Sequence, residues 1–325
     1  MSGKRSGTAS GRSGFDRWSR GHGNARARLS TGLVVPESRI GFSLTPETRV
    51  FALGACFARR LEAALLDSGI RVTSVAPESP TMEIRTTLRH GLLNQDSPTA
   101  ILQELEWASG KAFPIGALLP FGDEWIDPFL RDRAPTGNQA TVMARRNAIG
   151  AFTARAFKAE VVLIALGHTE VWYDGRTKQA LNGPPHPRVY EADRDRFGIR
   201  RIDYEEVFAT LRSICQLLKR RNARQRIVLT VSPVPMERTF SGEDIIVANM
   251  TAKTTLHAAA TAIANRFNDV DYFPCFEAVM ASDPARAWMS DRRNVTPELV
   301  SRLVAAFIDR YGLRLSRETR TEGTA

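Results

Sequence analysis

The hydrophobic pattern of the chain switches between two periods. Residues 49–53 (RVFAL), 161–166 (VVLIAL) and 226–231 (RIVLTV) are short strand-like runs, and 161–166 is apolar on both faces. That is the pattern of a parallel strand covered by helices on either side. Residues 70–75 (IRVTSV) and 270–273 (VDYF) are weaker candidates of the same kind. Between the runs the period becomes helical. Phe57, Leu61, Ala64 and Leu65 share one helical face, and Ser97-Pro98 has the N-cap and first-turn proline of a helix running to about residue 109. Further helices are predicted over about 138–158, 204–221 and 243–267, with a last one opening near Pro297. Strands separated by helices in this way predict an α/β doubly wound fold. Two stretches fall outside the rhythm. Residues 76–96 have no clean period and hold Pro77, Pro80, His90, Gly91 and Asn94, while 110–137 are dominated by proline and glycine around Trp125 and Phe129. The second is expected to be a long ordered loop on the domain surface.

Composition narrows the class. A chain of 325 residues, 43% hydrophobic and 25% charged, suits one large domain or two small ones with a substantial core. Cys56, Cys215 and Cys275 are too few and too scattered for a disulfide framework or a zinc site. No run approaches the length of a membrane span, and the basic N-terminus has no apolar stretch behind it, so a cytoplasmic location is the default expectation. With no metal or dinucleotide motif, no cofactor is expected. The net charge of +10 is uneven: residues 1–30 carry Lys4, Arg5, Arg12, Arg17, Arg20, Arg26 and Arg28 against Asp16 alone. Rich in glycine and serine, this segment is expected to be a disordered basic tail, as are residues 315–325, flanking a folded part over 31–314. Such a tail could meet the phosphates of nucleic acid, but a solvated terminus is the plainer reading.

Candidate chemistry collects at the strand ends. In an open parallel sheet, ligands bind beyond the carboxyl ends of the strands near the topological switch point. Gly54-Ala55-Cys56, Gly167-His168-Thr169-Glu170 and Ser232-Pro233-Val234-Pro235 all occupy such ends. Cys56 stands at a strand-to-helix turn, where unpaired N–H groups and the helix dipole favour a thiolate; read without that context it is a small buried hydrophobe. His168 is a candidate base or a structural hydrogen-bonding residue. Glu170 reads as a loop anchor, Ser232 as a turn cap and Lys253 as a solvated lysine on a long helix. His186, in a Gly-Pro-Pro-His-Pro loop, is a weaker candidate, and His90 and His257 read as surface or packing residues.

Six segments in order, LGACFARRL, LGHTEVW, TVSPVP, the stretch around Asn249 and Lys253, YFPCFE and DRRNV, resemble the GSCFA domain family, relatives of the SGNH (GDSL-type) hydrolases. The resemblance spans roughly residues 49–300. It implies a three-layer α/β/α sandwich around a five-stranded parallel sheet, flavodoxin-like in class. It also implies a nucleophile on the first strand-to-helix turn, which puts Cys56 there with Gly54 and Ala55 beside it. Gly167 and Thr169 occupy the segment that supplies an oxyanion asparagine, and Asn94 resembles a second oxyanion-side donor. Asp291 and Asn294 occupy the positions of the orienting carboxylate and the base histidine. The chain departs from the pattern at Ala55, where the family name has serine, at Cys275, where serine is expected, and at Asn294, since an amide cannot accept a proton near neutral pH.

Two functions follow from the resemblance. One is a hydrolase or acyltransferase acting on an ester, of carbohydrate or cell-envelope material, with Cys56 as nucleophile; its partner is a small-molecule or glycan ester. The other is a catalytically degenerate member whose cleft binds a glycan or small ligand. Substrate identity and oligomeric state are not legible in the residues.

Overall fold

The strongest apolar run of the chain lies at the centre of the sheet. The computed structural model describes residues 18–19, 23–45, 47–74, 93–130 and 134–312. Five parallel strands form the main sheet: β1 (Arg49–Gly54), β2 (Arg71–Val72), β5 (Val161–Leu166), β9 (Arg226–Val231) and β10 (Val270–Tyr272). They stand in the order β10-β9-β5-β1-β2, with β5 in the middle and all six of its residues buried. In chain order this is second, first, third, fourth, fifth, the flavodoxin-like arrangement, and the order reverses between β1 and β5.

The period of two along these strands sorts the core into two layers. Val50 and Ala52 of β1 and Val161, Leu163 and Ala165 of β5 face one side. There they meet α2 (Phe57–Asp67), α8 (Cys275–Ala281) and α10 (Pro297–Arg310) through Leu61, Leu65, Val279, Leu299, Leu303 and Phe307. Phe51, Leu53, Val162, Ile164 and Leu166 face the other side and meet α3 (Pro98–Ala108), α6 (Tyr204–Arg221) and α7 (Ile245–Arg266). The result is a three-layer α/β/α sandwich. Burying each such aliphatic side chain contributes roughly 1.5–3 kcal/mol, so the two faces of β5 together anchor the fold.

Local signals place several boundaries. Ser97 caps α3 by accepting from the Ala100 N–H at 3.2 Å, with Pro98 at the first helical position. Asp203 and Glu206 form a capping box at the start of α6. Asn138 caps α4 (Gln139–Thr153), whose predicted extension to residue 158 is a 3-10 helix over Ala154–Lys158. The second predicted strand is shorter than expected, and its register with β1 covers two pairs only. Beyond them, Ser74 Oγ accepts the Ala52 N–H at 2.9 Å and Arg59 donates to the Ala52 carbonyl at 2.8 Å. Side chains thus complete the edge of β1 beside the turn that follows it.

Elements that the hydrophobic pattern did not predict cover one end of this sandwich. Within 110–137, expected to be loop, β3 (Leu119–Phe121) and β4 (Glu124–Ile126) form an antiparallel hairpin. Directly after β5 the chain turns into a second sheet, β7-β6-β8, built from β6 (Glu170–Asp174), β7 (Gln179–Leu181) and β8 (Phe197–Arg201). A separate apolar cluster of Leu119, Ile126, Phe129, Leu181, Val189 and Phe197 joins the two. Beneath it lies a buried charged triad: Arg146 of α4 meets Glu104 of α3 at 3.0 Å and Asp127 at 3.4 Å. The Trp107 and Phe113 rings lie 5.5 and 6.0 Å from its guanidinium carbon.

Inside the segment expected to be a basic tail, Ala25–Leu29 (α1) forms a short helix capped by Asn24, with no buried residue. Residues 1–17, 20–22 and 315–325, His90 and most of 76–96 lie outside the described residues. Among the described residues, no helix is long and apolar enough to cross a membrane.

Candidate functional site

The cleft lies where the strand order reverses. Gly54 ends β1 at φ +107°, opposite Ala165 of β5, and the Ala55 N–H donates to the Ala165 carbonyl at 2.8 Å. A Cβ built on Gly54 would stand 2.1 Å from that same carbonyl oxygen, so only glycine allows this turn. Cys56 follows at the N-cap of α2 and is partly exposed. It lines a cleft of about 320 Å³ together with Ala55, Asp96, Gly167, His168, Ser232 and Lys253.

Residues 94–97 are stitched into the floor of this cleft. The Gln95 N–H donates to the Gly54 carbonyl at 3.1 Å, and the Gly167 and His168 N–H groups donate to the Asp96 carbonyl at 2.9 and 3.0 Å. The Asp96 N–H donates to Asn182 Oδ1 at 3.2 Å, while Asn182 Nδ2 donates to the Asn94 carbonyl. Gly167 allows residues 94–97 to approach the end of β5: a Cβ there would lie 2.6 Å from the Asp96 carbonyl oxygen.

Lys253 differs most from its expectation. It is not solvated but buried, 1% exposed, and its Nζ donates to the Gly167 carbonyl at 2.6 Å. Burial brings its pKa down to about 8, and the nearby Asp96 and Cys56 partly offset that by favouring the charged form. The spacing of Lys253 with Leu256 and Ala260 on the buried face of α7 was the available sign that this lysine points inward. Asp96 and Asn182 carried no such signal. Their place depends on a segment that pairs with strand ends far away in the chain.

The remaining expected residues divide. Glu170 is a loop anchor: its carboxylate accepts from Thr239 Oγ1 and from the Phe240 N–H at 2.9 Å. Ser232 does not cap a turn through its side chain; its N–H donates to the Leu166 carbonyl at 2.8 Å, and its buried Oγ has no hydrogen-bond partner among the described residues. Thr169 and Asn94 are buried but do not line the cleft. Asp291 and Asn294 are also absent from its lining. Asp291 Oδ1 accepts from the Arg293 and Asn294 N–H groups at 2.9 and 2.8 Å, and Asn294 Nδ2 donates to Asp291 Oδ2 at 2.5 Å. These bonds hold the Asp291 carboxyl down to about 2. Arg60 of α2 donates to Asn294 Oδ1 at 2.7 Å. The pair therefore closes a turn against α2. Arg293, between them, does reach the cleft, where it is paired with Glu237.

The model of the GSCFA family matches residues 49–307. The chain belongs to the GSCFA family. The match runs from the first strand of the sheet into α10 and spans every residue that lines the cleft. This GSCFA protein reads Gly54-Ala55-Cys56-Phe57-Ala58 at the turn that the family name spells. No curated protein matches it. A solved structure from Streptococcus pneumonia, named for platelet activating factor, is similar over 71% of this chain and 99% of the other, at 10% identity and a TM-score of 0.31.

The histidines away from the cleft have other partners. His186 caps α5 (Pro187–Ala192) by accepting from the Arg188 N–H at 3.2 Å, and its ring stands edge-on to Phe121. His257 pairs with Glu277 at 2.7 Å. Cys215 and Cys275 are buried, which pushes both thiols up to about 12. Among the described residues, no three His, Cys, Asp or Glu side chains gather as a metal site requires.

Proposed function

We propose that this GSCFA protein is a hydrolase or acyltransferase acting on an ester, with Cys56 as its nucleophile. The observation that carries the reading is the position of Cys56: partly exposed, at the opening of α2, in the cleft at the switch point of the sheet. The Cys56 sulfur pair attacks the acyl carbon and forms a C–S bond as the carbonyl π pair moves onto oxygen. Collapse of that oxyanion breaks the C–O bond, and the leaving oxygen departs with its electron pair. Water, or an acceptor hydroxyl, then attacks the thioester and returns the thiol. The Cys56 N–H, at the helix opening, is the donor assigned to the oxyanion; the Ala55 N–H donates to the Ala165 carbonyl. Carbohydrate or cell-envelope esters remain the substrate class that the family likeness favours.

Hydrolysis of p-nitrophenyl acetate tests the reading. Cys56→Ala is expected to lower turnover at least about 10²-fold. Iodoacetamide should mark Cys56 before Cys215 and Cys275, whose thiols are buried and hard to ionise. Turnover that survives Cys56→Ala would sink the proposal.

The alternative, a binding protein without catalysis, draws on the engagement of Asn294 with Asp291 and Arg60. Asn294→His separates the two ideas of how a base is supplied. With the side chain directed into that turn, the substitution is expected to leave esterase activity within about twofold of wild type, although an imidazole base is commonly worth 10²–10⁴-fold. A gain of tenfold or more, lost again in Cys56→Ala, would return the base position to residue 294.

A further inference from the structure

The cleft holds a buried lysine that the resemblance does not use. We infer that Lys253 is the proton acceptor of the Cys56 thiol, so that the working form of the site is an ammonium–thiolate pair. This rests on the reading of Cys56 as nucleophile and replaces the role that Asn294 cannot fill.

Three observations carry it. Lys253 lines the same cleft as Cys56 and Asp96, from the helix that follows β9. Its side chain is almost wholly buried, and its Nζ donates to the Gly167 carbonyl at 2.6 Å, at the end of the strand that pairs with β1. An ammonium in such a place is unfavourable unless anionic groups stand near it. Asp96 and Cys56 are the two groups that favour its charged form. The other ionisable residues of the lining are His168, Glu170, Glu237, Arg238 and Arg293. Glu170 is held by Thr239 and Phe240, and Glu237 is paired with Arg293. Arg238 is exposed. That leaves His168 as the competing acceptor.

The proton bookkeeping closes without any further group. The neutral Lys253 amine takes the thiol proton, which leaves a thiolate beside an ammonium. After the sulfur has displaced the ester oxygen, the ammonium returns that proton to the departing alkoxide. In the second half, the proton of the attacking water passes to Lys253 as its oxygen bonds to the acyl carbon. The thiolate that leaves recovers the proton, and the acid product is released. A lysine whose pKa is brought close to neutral by burial can move a proton in both directions.

A purely structural Lys253, bracing Gly167, would leave the ionisation of Cys56 unchanged, so thiolate absorbance is the deciding measurement. The pH titration of the full chain, with the Cys56→Ser titration subtracted, is expected to have its midpoint below the ordinary thiol value of about 8.5. Lys253→Met should raise the midpoint by about one unit or more, which leaves about tenfold less thiolate near pH 7. Iodoacetamide labelling of Cys56 should slow in proportion near pH 7 and converge with wild type at about pH 10, where the thiol ionises unaided. Lys253→Arg, which keeps the charge, should restore most of the lowered midpoint. A wild-type midpoint at or above about 8.5 overturns the inference. So does a midpoint unmoved in Lys253→Met, or one that His168→Ala raises while Lys253→Met does not. If Lys253→Met does not fold, the wild-type and Lys253→Arg titrations decide alone: a low midpoint in both supports the pair, and an ordinary midpoint in either overturns it. The two readings fail separately. A low midpoint without Cys56-dependent ester turnover sinks the acyl chemistry and leaves the pair standing. An ordinary midpoint with such turnover does the reverse.

Discussion

Gly54→Ala is expected to destabilise the protein by more than about 4 kcal/mol, at the far end of what single substitutions do. Two effects add. At φ +107° any L side chain is strained, and the new Cβ would stand 2.1 Å from the Ala165 carbonyl oxygen. That oxygen is not the tip of a flexible side chain. It belongs to the central strand and accepts the Ala55 N–H at 2.8 Å, so relief requires β1 and β5 to part at the switch point. A domain of this size loses about 2–4 °C of thermal midpoint per kcal/mol, so a fall of about 10 °C or more should be seen, with a drop in soluble yield. A midpoint within about 2 °C of wild type would mean that the turn tolerates a side chain and that Cys56 is not held as described.

Arg146→Met is expected to cost about 3–5 kcal/mol, because it leaves Glu104 and Asp127 buried without their cation. Burial already raises the Glu104 pKa, against the opposing pull of Arg146, while the two carboxylates together hold the Arg146 pKa up. Removing Arg146 removes the opposing pull. The Glu104 pKa in the folded variant then rises further above its unfolded value of about 4.3. A group whose folded pKa is raised contributes its stability below the unfolded pKa and loses it as pH rises through the folded one. The deficit of Arg146→Met should therefore be smaller near pH 4.5 than near pH 8. Denaturant unfolding at the two values measures it. A pH-independent deficit would show that lost packing against Trp107 and Phe113, and not the stranded charge, is what the substitution costs. Replacing Glu104 and Asp127 by leucine in the same background should recover part of the loss, since an apolar replacement of a buried ion cluster is often neutral or better.

These two sites support different parts of the molecule. Gly54 shapes the turn that presents Cys56, so its loss removes site and fold together. Arg146 lies under the accessory hairpin and α3, whose N-terminal approach carries Asp96. Its loss is expected to loosen the floor of the cleft before it unfolds the main sheet.

What could be read from the chain alone follows from interactions that are local or that admit one solution. The run at 161–166 is apolar on both faces, and only a strand covered on both sides buries it. Ser97-Pro98 and Asp203 with Glu206 set helix starts within a few residues, so their geometry needs nothing distant. The short strands of the β7-β6-β8 sheet owe their identity to pairing across up to thirty-one residues, as Glu170 with Arg201, and their own patterns are too brief to show it. The site depended still more on tertiary structure. Lys253 looked like one more exposed cation until α7 laid it, buried, on the carbonyl of Gly167, 86 residues away in the chain. Asp96 entered the cleft only because its backbone bridges β5 and Asn182. Asn294 left the cleft because Arg60 and Asp291 satisfy its amide elsewhere. A sequence determines which residues must be buried and which turns must bend. Which charged side chains then face one another is decided by the packing of strand ends, where burial leaves a charge no solvent and obliges it to find a partner.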